Sequence, residues 1–349
     1  MQTPQVFWKD RPVFVTGATG LLGGWLVQAL VDLGAEVTAL VRDGSPRSMI
    51  ARNGLLDRIT VVRGSLEDFP LIRRALCEYS ADSVFHLAAQ PLVGVAKLNP
   101  MGTLEANIGG TWNVLEAARQ VGTRQIVVAS SDKAYGPSEH LPYRETDALR
   151  GRFPYDVSKS CADLICGMYA TTYHLPVSVV RCANLFGGGD MNFSRLVPDL
   201  IRATLRGDSF VIRSDGKFVR DFLYVKDAVS GYLRLAETLA QNPSLAGEAF
   251  NLSLEVRVTV LELVQKVLSL MNRQDLQPVV QNAASSEIRE QYMDSQKARK
   301  LLGWSPRYNL EEGMQETISW YAAFWESETA GNIAQSVDGI SMTGARVRN

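Results

Sequence analysis

The chain contains 349 residues, of which 46% are hydrophobic and 21% charged, values typical of a globular protein with a substantial core. Its 36 basic and 37 acidic residues leave a net charge of -1, which excludes the global basic field expected of a protein that binds nucleic acid or an anionic membrane. Four cysteines and three histidines are too few for a disulfide framework or a structural metal site. Because the N-terminus has no apolar signal core, we predict a cytoplasmic protein with free thiols.

The first half of the chain alternates short apolar runs with longer amphipathic ones. Apolar strands that alternate with helices indicate a parallel sheet covered on both faces, and right-handed crossovers make it a doubly wound, Rossmann-type α/β sheet. Residues 12–31 carry no charge, but the glycines among them favour a strand, a turn and a helix over a membrane span. Strands are predicted at residues 12–17, 36–42, 59–64, 83–89, 125–131 and 177–182, and helices at 25–34, 71–79 and 105–120.

The composition changes after residue 182, where glycine clusters, basic residues and short irregular pieces follow. We therefore assign residues 1–182 to a dinucleotide-binding domain, to which later segments return, and residues 183–325 mainly to a smaller, mixed α/β substrate lobe. Within that lobe, residues 258–271 have the amphipathic pattern of a helix. Residues 326–349 show little periodicity, and we predict a flexible tail there.

A glycine-rich turn lies between the first predicted strand and the first helix, with Gly17, Gly20 and Gly23 at regular spacing. Glycine allows a tight turn and a close approach of the backbone to a pyrophosphate, and the N-terminus of the following helix attracts phosphate. The motif therefore predicts dinucleotide binding. Its GxxGxxG spacing resembles that of the short-chain dehydrogenase/reductase superfamily.

The end of the second predicted strand bears on the choice of cofactor. A basic residue there favours the 2′-phosphate of NADP, whereas an acidic residue accepts hydrogen bonds from the ribose of NAD. The chain has Arg42 followed by Asp43, so both NAD and NADP stay open.

Tyr155 and Lys159 are spaced so that they lie on one face of a helix. We expect the Lys159 ammonium to lower the pKa of the Tyr155 phenol and to hold the nicotinamide ribose. The tyrosine could then take a proton from a hydroxyl while hydride leaves the same carbon. Together with the glycine turn, this YxxxK motif resembles that of the extended short-chain dehydrogenases/reductases.

Three polar residues, Ser131, Asp132 and Lys133, stand at the carboxyl end of the fifth predicted strand, where ligands of such sheets bind. The Ser131 hydroxyl can hydrogen-bond the substrate hydroxyl that is oxidised. After this serine, the sugar-nucleotide 4-epimerases that the chain resembles have small or neutral residues. The 4,6-dehydratases instead have an acid followed by a second ionisable residue, so Asp132 and Lys133 favour a dehydratase.

Four segments give the chain a more specific resemblance, to the CDP-glucose branch of the sugar-nucleotide epimerase/dehydratase family. They are FWKDRPVFVTG with GGWL, HLAAQPLVGVAKLNP, SSDKAYG and RCANLFGGGDMNFSRLVPDLIRA. The wider family resemblance covers residues 7–325. It implies a sugar-nucleotide substrate, a tightly bound NAD or NADP regenerated in each turnover, and a homodimer formed near the YxxxK helix.

The resemblance also implies which residues form the site, and none of them is a metal ligand. The catalytic residues are Ser131, Asp132, Lys133, Tyr155 and Lys159. The cofactor-binding residues are Gly17, Thr19, Gly20, Leu21, Leu22, Gly23, Arg42, Ser65, Leu66, Leu87, Ala88, Ala89, Tyr155 and Lys159. The substrate-binding residues are Gln90, Ser131, Asn184, Arg195 and Arg220, and the two arginines among them suit a diphosphate.

Several residues depart from the CDP-glucose pattern. RDFLYVKD at residues 220–227 follows the broader epimerase and dTDP-glucose dehydratase pattern, and Ser65 stands where many relatives have an aspartate that contacts adenine. The nucleotide base of the substrate therefore stays open. Lys133 stands where dTDP-glucose relatives have the glutamate that takes the C5 proton, and an ammonium cannot accept a proton. Glu145 is a further acid with no assigned place.

We predict a sugar-nucleotide 4,6-dehydratase that oxidises C4 transiently, loses water across C5–C6 with Asp132 as the acid, and returns hydride to C6. A 4-epimerase is the first alternative, because it would use Tyr155 and Ser131 identically but return hydride to C4. A non-catalytic NAD(P)-binding regulator is the second. Such a protein is expected to have lost Tyr155 or Lys159, and both are present.

Overall fold

The computed structural model describes residues 4–283 and 288–342, with residues 329–342 as backbone only. Its α-helices are α1 (Pro4–Trp8), α2 (Leu21–Asp32), α3 (Met49–Arg52), α4 (Phe69–Glu78), α5 (Val93–Leu98), α6 (Pro100–Leu104), α7 (Gly110–Val121), α8 (Pro154–Tyr173), α9 (Leu196–Arg206), α10 (Val225–Gln241), α11 (Val260–Leu270), α12 (Gln296–Leu302) and α13 (Leu310–Met342). Its strands are β1 (Pro12–Thr16), β2 (Glu36–Val41), β3 (Thr60–Arg63), β4 (Ser83–His86), β5 (Gln125–Ser131), β6 (Val177–Cys182), β7 (Asn184–Phe186), β8 (Val211–Ile212), β9 (Val219–Arg220), β10 (Phe222–Tyr224), β11 (Ala249–Leu252), β12 (Val258–Thr259), β13 (Val279–Val280) and β14 (Glu290–Gln291).

The largest sheet has seven strands in the order β11-β6-β5-β4-β1-β2-β3, and every pair in it is parallel. Successive residues of β1 point to opposite faces, so Phe14 packs into one hydrophobic core and Val15 into the other. Both residues are fully buried, as expected of a sheet that helices cover on both faces. The predicted doubly wound Rossmann-type fold is therefore confirmed.

The strand order reverses at β1, which lies between β2 and β4. In open α/β sheets such a switch leaves a crevice at the carboxyl ends of the strands, and ligands bind there. The turn after β1 leads directly into α2, which begins at Leu21, earlier than the predicted start at residue 25. The glycines at the helix start weaken its apolar pattern in the sequence, but they allow close packing against the turn.

The second half of the chain contributes to two regions. Helix α10 and strand β11 return to the large sheet, where β11 pairs with β6. Three short sheets, β10-β7, β12-β9-β14 and β13-β8, are separate from the large sheet. Helices α9 and α11 pack with residues of these short strands in a hydrophobic core of their own. The predicted division of the chain at residue 182 stays a prediction.

Helix α13 runs from Leu310 to Met342 and so continues into the segment for which the sequence predicts a tail. That segment contains no proline before Met342, which is compatible with a continuous helix, although Gly331 and Gly339 lower its helix propensity. Residues 326–342 are helical, and residues 343–349 lie outside the described residues, so the flexible tail stays a prediction. No helix in the described ranges has the length and apolar character needed to cross a membrane.

Candidate active site

All of the residues predicted for catalysis, cofactor binding and substrate binding line one cleft of about 1120 Å³. The cleft lies at the carboxyl ends of β1, β2, β4, β5 and β6, where the strand order reverses. One side is formed by the glycine turn and the other by residues of α9, β8 and β9. The structure thus brings together residues that lie far apart in the sequence, although their individual roles stay predictions.

The glycine turn has the shape that a bound pyrophosphate requires. Gly17 has a φ of +77°, and a Cβ on Gly23 would lie 2.1 Å from the Gly17 carbonyl oxygen. Gly20 is the N-cap of α2 and makes no side-chain capping hydrogen bond to the N–H groups of the first turn of the helix. The turn therefore fits a phosphate-containing cofactor at the N-terminus of α2.

A buried polar network supports this turn from the neighbouring strand. The Nδ1 atom of His86 lies 2.8 Å from Thr16 Oγ1, and its Nε2 atom lies 3.1 Å from Thr111 Oγ1. Thr16 Oγ1 also accepts hydrogen bonds from the backbone N–H groups of Leu87 and Ala88. Burial, together with the smaller effect of the Lys159 ammonium, lowers the pKa of His86 to about 3, so this histidine is a neutral structural group.

The residues that bear on cofactor choice lie at the exposed rim of the cleft. Arg42 Nε donates to Asp43 Oδ2 at 2.7 Å, so the cation is paired with the carboxylate that follows it. Ser65 also lines the cleft, and its hydroxyl donates to Glu67.

Tyr155 lies in the first turn of α8 with only 8% of its surface exposed. Burial, opposed by the Arg195 guanidinium and reinforced by Asp132, raises its pKa to about 12. The expectation that Lys159 lowers this pKa stays a prediction. The Lys159 ammonium donates to the Ala129 carbonyl at 2.8 Å, and burial lowers the pKa of Lys159 itself to about 8.

The residues after β5 form a short polar turn inside the cleft. Ser131 Oγ donates to Asp132 Oδ1 at 2.9 Å, and it accepts from the backbone N–H of Lys133 at 3.2 Å. Asp132 is 2% exposed, and its Oδ2 atom has no hydrogen-bond partner among the described residues. A buried acceptor of this kind is available to a substrate hydroxyl.

Lys133 is held by a residue that the sequence does not indicate. Its Nζ atom donates to Oε1 of Gln291 at 2.9 Å, and Gln291 is fully buried. Gln291 lies on β14, opposite Arg220 of β9. A contact between Lys133 and a residue so distant in the chain carries no sequence signal, because it depends on how the second half of the chain packs.

Two further acids lie near the site, and only one of them lines the cleft. Asp156 is 2% exposed and lines the cleft beside Tyr155. Burial raises the pKa of its carboxyl, while Lys133 lowers it and Asp132 raises it. Glu145 does not line this cleft; its Oε1 atom accepts from the backbone N–H of Asn251 at 2.8 Å.

The substrate side of the cleft carries the predicted arginines. Arg195 NH1 donates to Asp190 Oδ2 at 2.9 Å, and about a third of the arginine side chain (35%) is exposed. Arg220 is 9% exposed and donates to the carbonyl oxygens of Val219 and Arg289. These contacts hold two guanidinium groups at one cleft, an arrangement suited to a diphosphate.

Asn184 and Gln90 line the same cleft, but they also stabilise backbone around it. Asn184 Nδ2 donates to the Asp221 carbonyl at 3.0 Å. The Gln90 amide donates to the Leu92 carbonyl, and its Oε1 atom accepts from the Leu92 backbone N–H at 2.6 Å. Gln90 therefore holds the shape of its own loop. No group of metal-ligating residues is found within the described part of the chain.

The known proteins that this chain matches include sugar-nucleotide dehydratases and epimerases. The family model described as GDP-mannose 4,6 dehydratase matches residues 14–317. The CDP-glucose 4,6-dehydratase of Salmonella typhimurium is 32% identical over 92% of this chain and 93% of its own length. The structure of UDP-glucose 4-epimerase from Thermotoga maritima with UDP-glucose superposes with a TM-score of 0.81 at 26% identity, over 90% of this chain and 99% of that one.

A second solved structure contains a cofactor. It is a double mutant of a dTDP-glucose 4,6-dehydratase from Streptomyces venezuelae with NAD bound, and it has a TM-score of 0.79 at 26% identity. The match covers 89% of this chain and 96% of that one. The resemblance inferred from the motifs is thus confirmed at the level of the family.

Proposed function

The chain belongs to the family described as GDP-mannose 4,6 dehydratase, and from that membership we propose that it is a sugar-nucleotide 4,6-dehydratase. The observation that carries this proposal is the pair of ionisable residues after Ser131. Asp132 and Lys133 both face the cleft beside Tyr155, and Asp132 has an unpartnered oxygen among the described residues. A 4-epimerase needs no acid at this place, whereas loss of a hydroxyl as water does.

In the first half-reaction, Tyr155 takes the proton of the C4 hydroxyl while Ser131 hydrogen-bonds the same oxygen. Lys159, held by the Ala129 carbonyl, supplies the positive charge beside the ribose. Bound NAD supplies the hydride acceptor for C4, the hydride donor for C6 and a positive charge that favours the ionised form of Tyr155. Loss of the hydroxyl proton and of hydride leaves a ketone at C4, which acidifies the C5 hydrogen.

In the second half-reaction, the C5 proton and the C6 hydroxyl are lost as water. Asp132 is the acid for the leaving hydroxyl, because its Oδ2 atom is buried in the cleft with no partner in the described ranges. The Lys133 ammonium, fixed by Gln291, stabilises the enolate that forms when C5 loses its proton. The product is a 4-keto-6-deoxy sugar still attached to its nucleotide.

We propose NAD as the cofactor. The Arg42 guanidinium is paired with Asp43, which reduces its attraction for the 2′-phosphate of NADP. The Streptomyces venezuelae dehydratase structure contains NAD, which is consistent with this choice. We propose a CDP-hexose as the substrate, on the likeness to the Salmonella typhimurium enzyme.

We propose a homodimer formed through α7 and α8. Trp112 on α7 is 49% exposed, and Leu164 and Met168 on α8 are 64% and 44% exposed. Large apolar side chains grouped on two neighbouring helices are typical of a buried interface. Sedimentation of the purified protein at twice the monomer mass would support this assembly, and a monomer would refute it.

The activity is tested by incubating the purified protein with CDP-, dTDP-, GDP- and UDP-hexoses and NAD, followed by mass detection. A dehydratase gives a product lighter by one water. The likeness to the UDP-glucose 4-epimerase makes 4-epimerisation the second candidate, and a C4 epimer of unchanged mass would refute our proposal. In the Tyr155→Phe variant we expect turnover to fall by at least about 10²-fold, and unchanged turnover would show that the assigned chemistry is wrong.

A further inference from the structure

Elimination of water requires a base at C5, and the lysines of the cleft act as hydrogen-bond donors. Lys133 donates to Gln291 Oε1 at 2.9 Å, and Lys159 donates to the Ala129 carbonyl at 2.8 Å. An ammonium has no lone pair with which to accept a proton. The C5 base must therefore be sought among the carboxylates and other acceptors of the cleft.

Two of the nearby carboxylates are already occupied. Asp132 accepts from Ser131 and serves as the acid for the C6 hydroxyl in the proposed function. Glu145 accepts the backbone N–H of Asn251 and does not line the cleft. Neither acid is therefore placed to take the C5 proton.

Three other acids of the cleft accept hydrogen bonds from neighbouring side chains, namely Asp43 from Arg42, Glu67 from Ser65 and Asp199 from Arg202. Asp156 is the cleft carboxylate that adjoins Tyr155 in the chain. It follows Tyr155 directly on α8, lines the cleft and is 2% exposed. Helix α8 packs against the turn that carries Asp132 and Lys133, so the three side chains share one side of the cleft. We propose that Asp156 is the catalytic base that removes the C5 proton, an inference that rests on the proposed dehydratase function.

Removal of the C5 proton and loss of the C6 hydroxyl require one base and one acid, which are Asp156 and Asp132. Asp156 takes the C5 proton, the electrons of the C5–H bond form the C5–C6 double bond, and the C6–O bond breaks as Asp132 protonates the leaving oxygen. When hydride is returned to C6, Asp156, whose proton has by then exchanged with solvent, protonates C5, and solvent restores the proton of Asp132. Burial raises the pKa of the Asp156 carboxyl, and the charge of Lys133 beside it opposes this effect and favours the ionised form.

The test compares Asp156→Asn with a matched carboxylate-to-amide control, Glu145→Gln. The amide oxygen that Asp156→Asn introduces can still accept the backbone hydrogen bond at Phe153 that the carboxylate makes, so α8 is expected to form normally. Each protein is mixed with NAD and the hexose nucleotide in deuterium oxide. Reduced NAD is followed by absorbance, and mass spectrometry measures the loss of water and the deuterium at C5.

We expect the wild type and Glu145→Gln to give the dehydrated product with deuterium at C5. We expect Asp156→Asn to oxidise C4 and accumulate reduced NAD, while its elimination rate falls by at least about 10²-fold. Elimination by Asp156→Asn at the wild-type rate would overturn the proposal, as would equal loss of C4 oxidation and elimination in a folded variant.

The same measurements distinguish an error in the proposed dehydratase function from an error in the role of Asp156. If the wild type gives no product lighter by one water with any of the nucleotide hexoses, then both the dehydratase assignment and the assignment of Asp156 as the C5 base are wrong. If the wild type eliminates water and Asp156→Asn does so equally, then only the base is wrong. If Asp156→Asn does not fold, Asp156→Ser carries the same expectation, because serine also hydrogen-bonds backbone N–H groups at a helix N-terminus.

Discussion

In the proposed mechanism the contact between Lys133 and Gln291 serves the loss of water but not the oxidation at C4, and the Gln291→Met substitution tests this. Methionine has a similar volume but removes the oxygen that accepts from Lys133 Nζ at 2.9 Å. The Gln291 Nε2 atom has no partner in the described part of the chain, so the substitution also removes a buried, unpaired donor. We therefore expect little change in the free energy of unfolding.

The magnitude follows from the hydrogen bond that is lost. A hydrogen bond to a charged group contributes about 1.5–3 kcal/mol, and its loss lets the ammonium leave its position beside the reacting sugar. At about 1.4 kcal/mol for each factor of ten, elimination should slow by roughly 10- to 100-fold. Oxidation at C4, which we assign to Tyr155 and Lys159, should keep its rate. The KM for the substrate should not change, because Arg195 and Arg220, proposed to bind the diphosphate, are not substituted.

The assay is a single turnover in which reduced NAD and the dehydrated product are measured together. Gln125→Met is a matched control, because Gln125 is 4% exposed and accepts from Ser83 Oγ at the opposite end of β5 from the cleft. The double variant Lys133→Met/Gln291→Met should eliminate no more slowly than Lys133→Met alone. Equal slowing of both half-reactions, or a further loss in the double variant, would refute the reasoning.

Two further substitutions test the cofactor turn and the core beneath the site. In Gly23→Ala the added Cβ would lie 2.1 Å from the Gly17 carbonyl oxygen, so the turn must move. We expect a large loss of NAD affinity, measured by calorimetric titration, and unchanged affinity would contradict the proposed cofactor site. Arg181 binds both oxygens of buried Asp163 at 2.8 Å, so Arg181→Met should destabilise the fold by about 3–5 kcal/mol in denaturant unfolding, and a loss near zero would show that Asp163 finds another partner.

The fold was largely predictable because its strands are apolar and end in clear turns. Six of the strands in the large sheet match predicted runs, which differ mainly at their ends. The seventh, β11, is only four residues long and follows a stretch with no alternating pattern. Its place beside β6 is decided by packing of the second half of the chain, which no local pattern describes.

The candidate site was predictable where residues belong to one strand end or one helix face. Ser131, Asp132 and Lys133 follow β5 directly, and Tyr155 and Lys159 share a face of α8. Asp156 was missed because the YxxxK pattern treats the positions between its ends as variable. Gln291 was missed because its link to Lys133 joins residues 158 positions apart.

The two half-reactions draw on different parts of the chain, and this bears on how relatives come to differ. In the proposed mechanism, oxidation at C4 uses residues of β5 and α8, which belong to the large sheet and its covering helices. Elimination adds contacts to β14, which pairs with β9 in the smaller sheet rather than in the large one. We therefore expect an epimerase and a dehydratase to share the first set of contacts and to differ around Lys133, and the TM-scores of 0.81 and 0.79 are consistent with a shared fold.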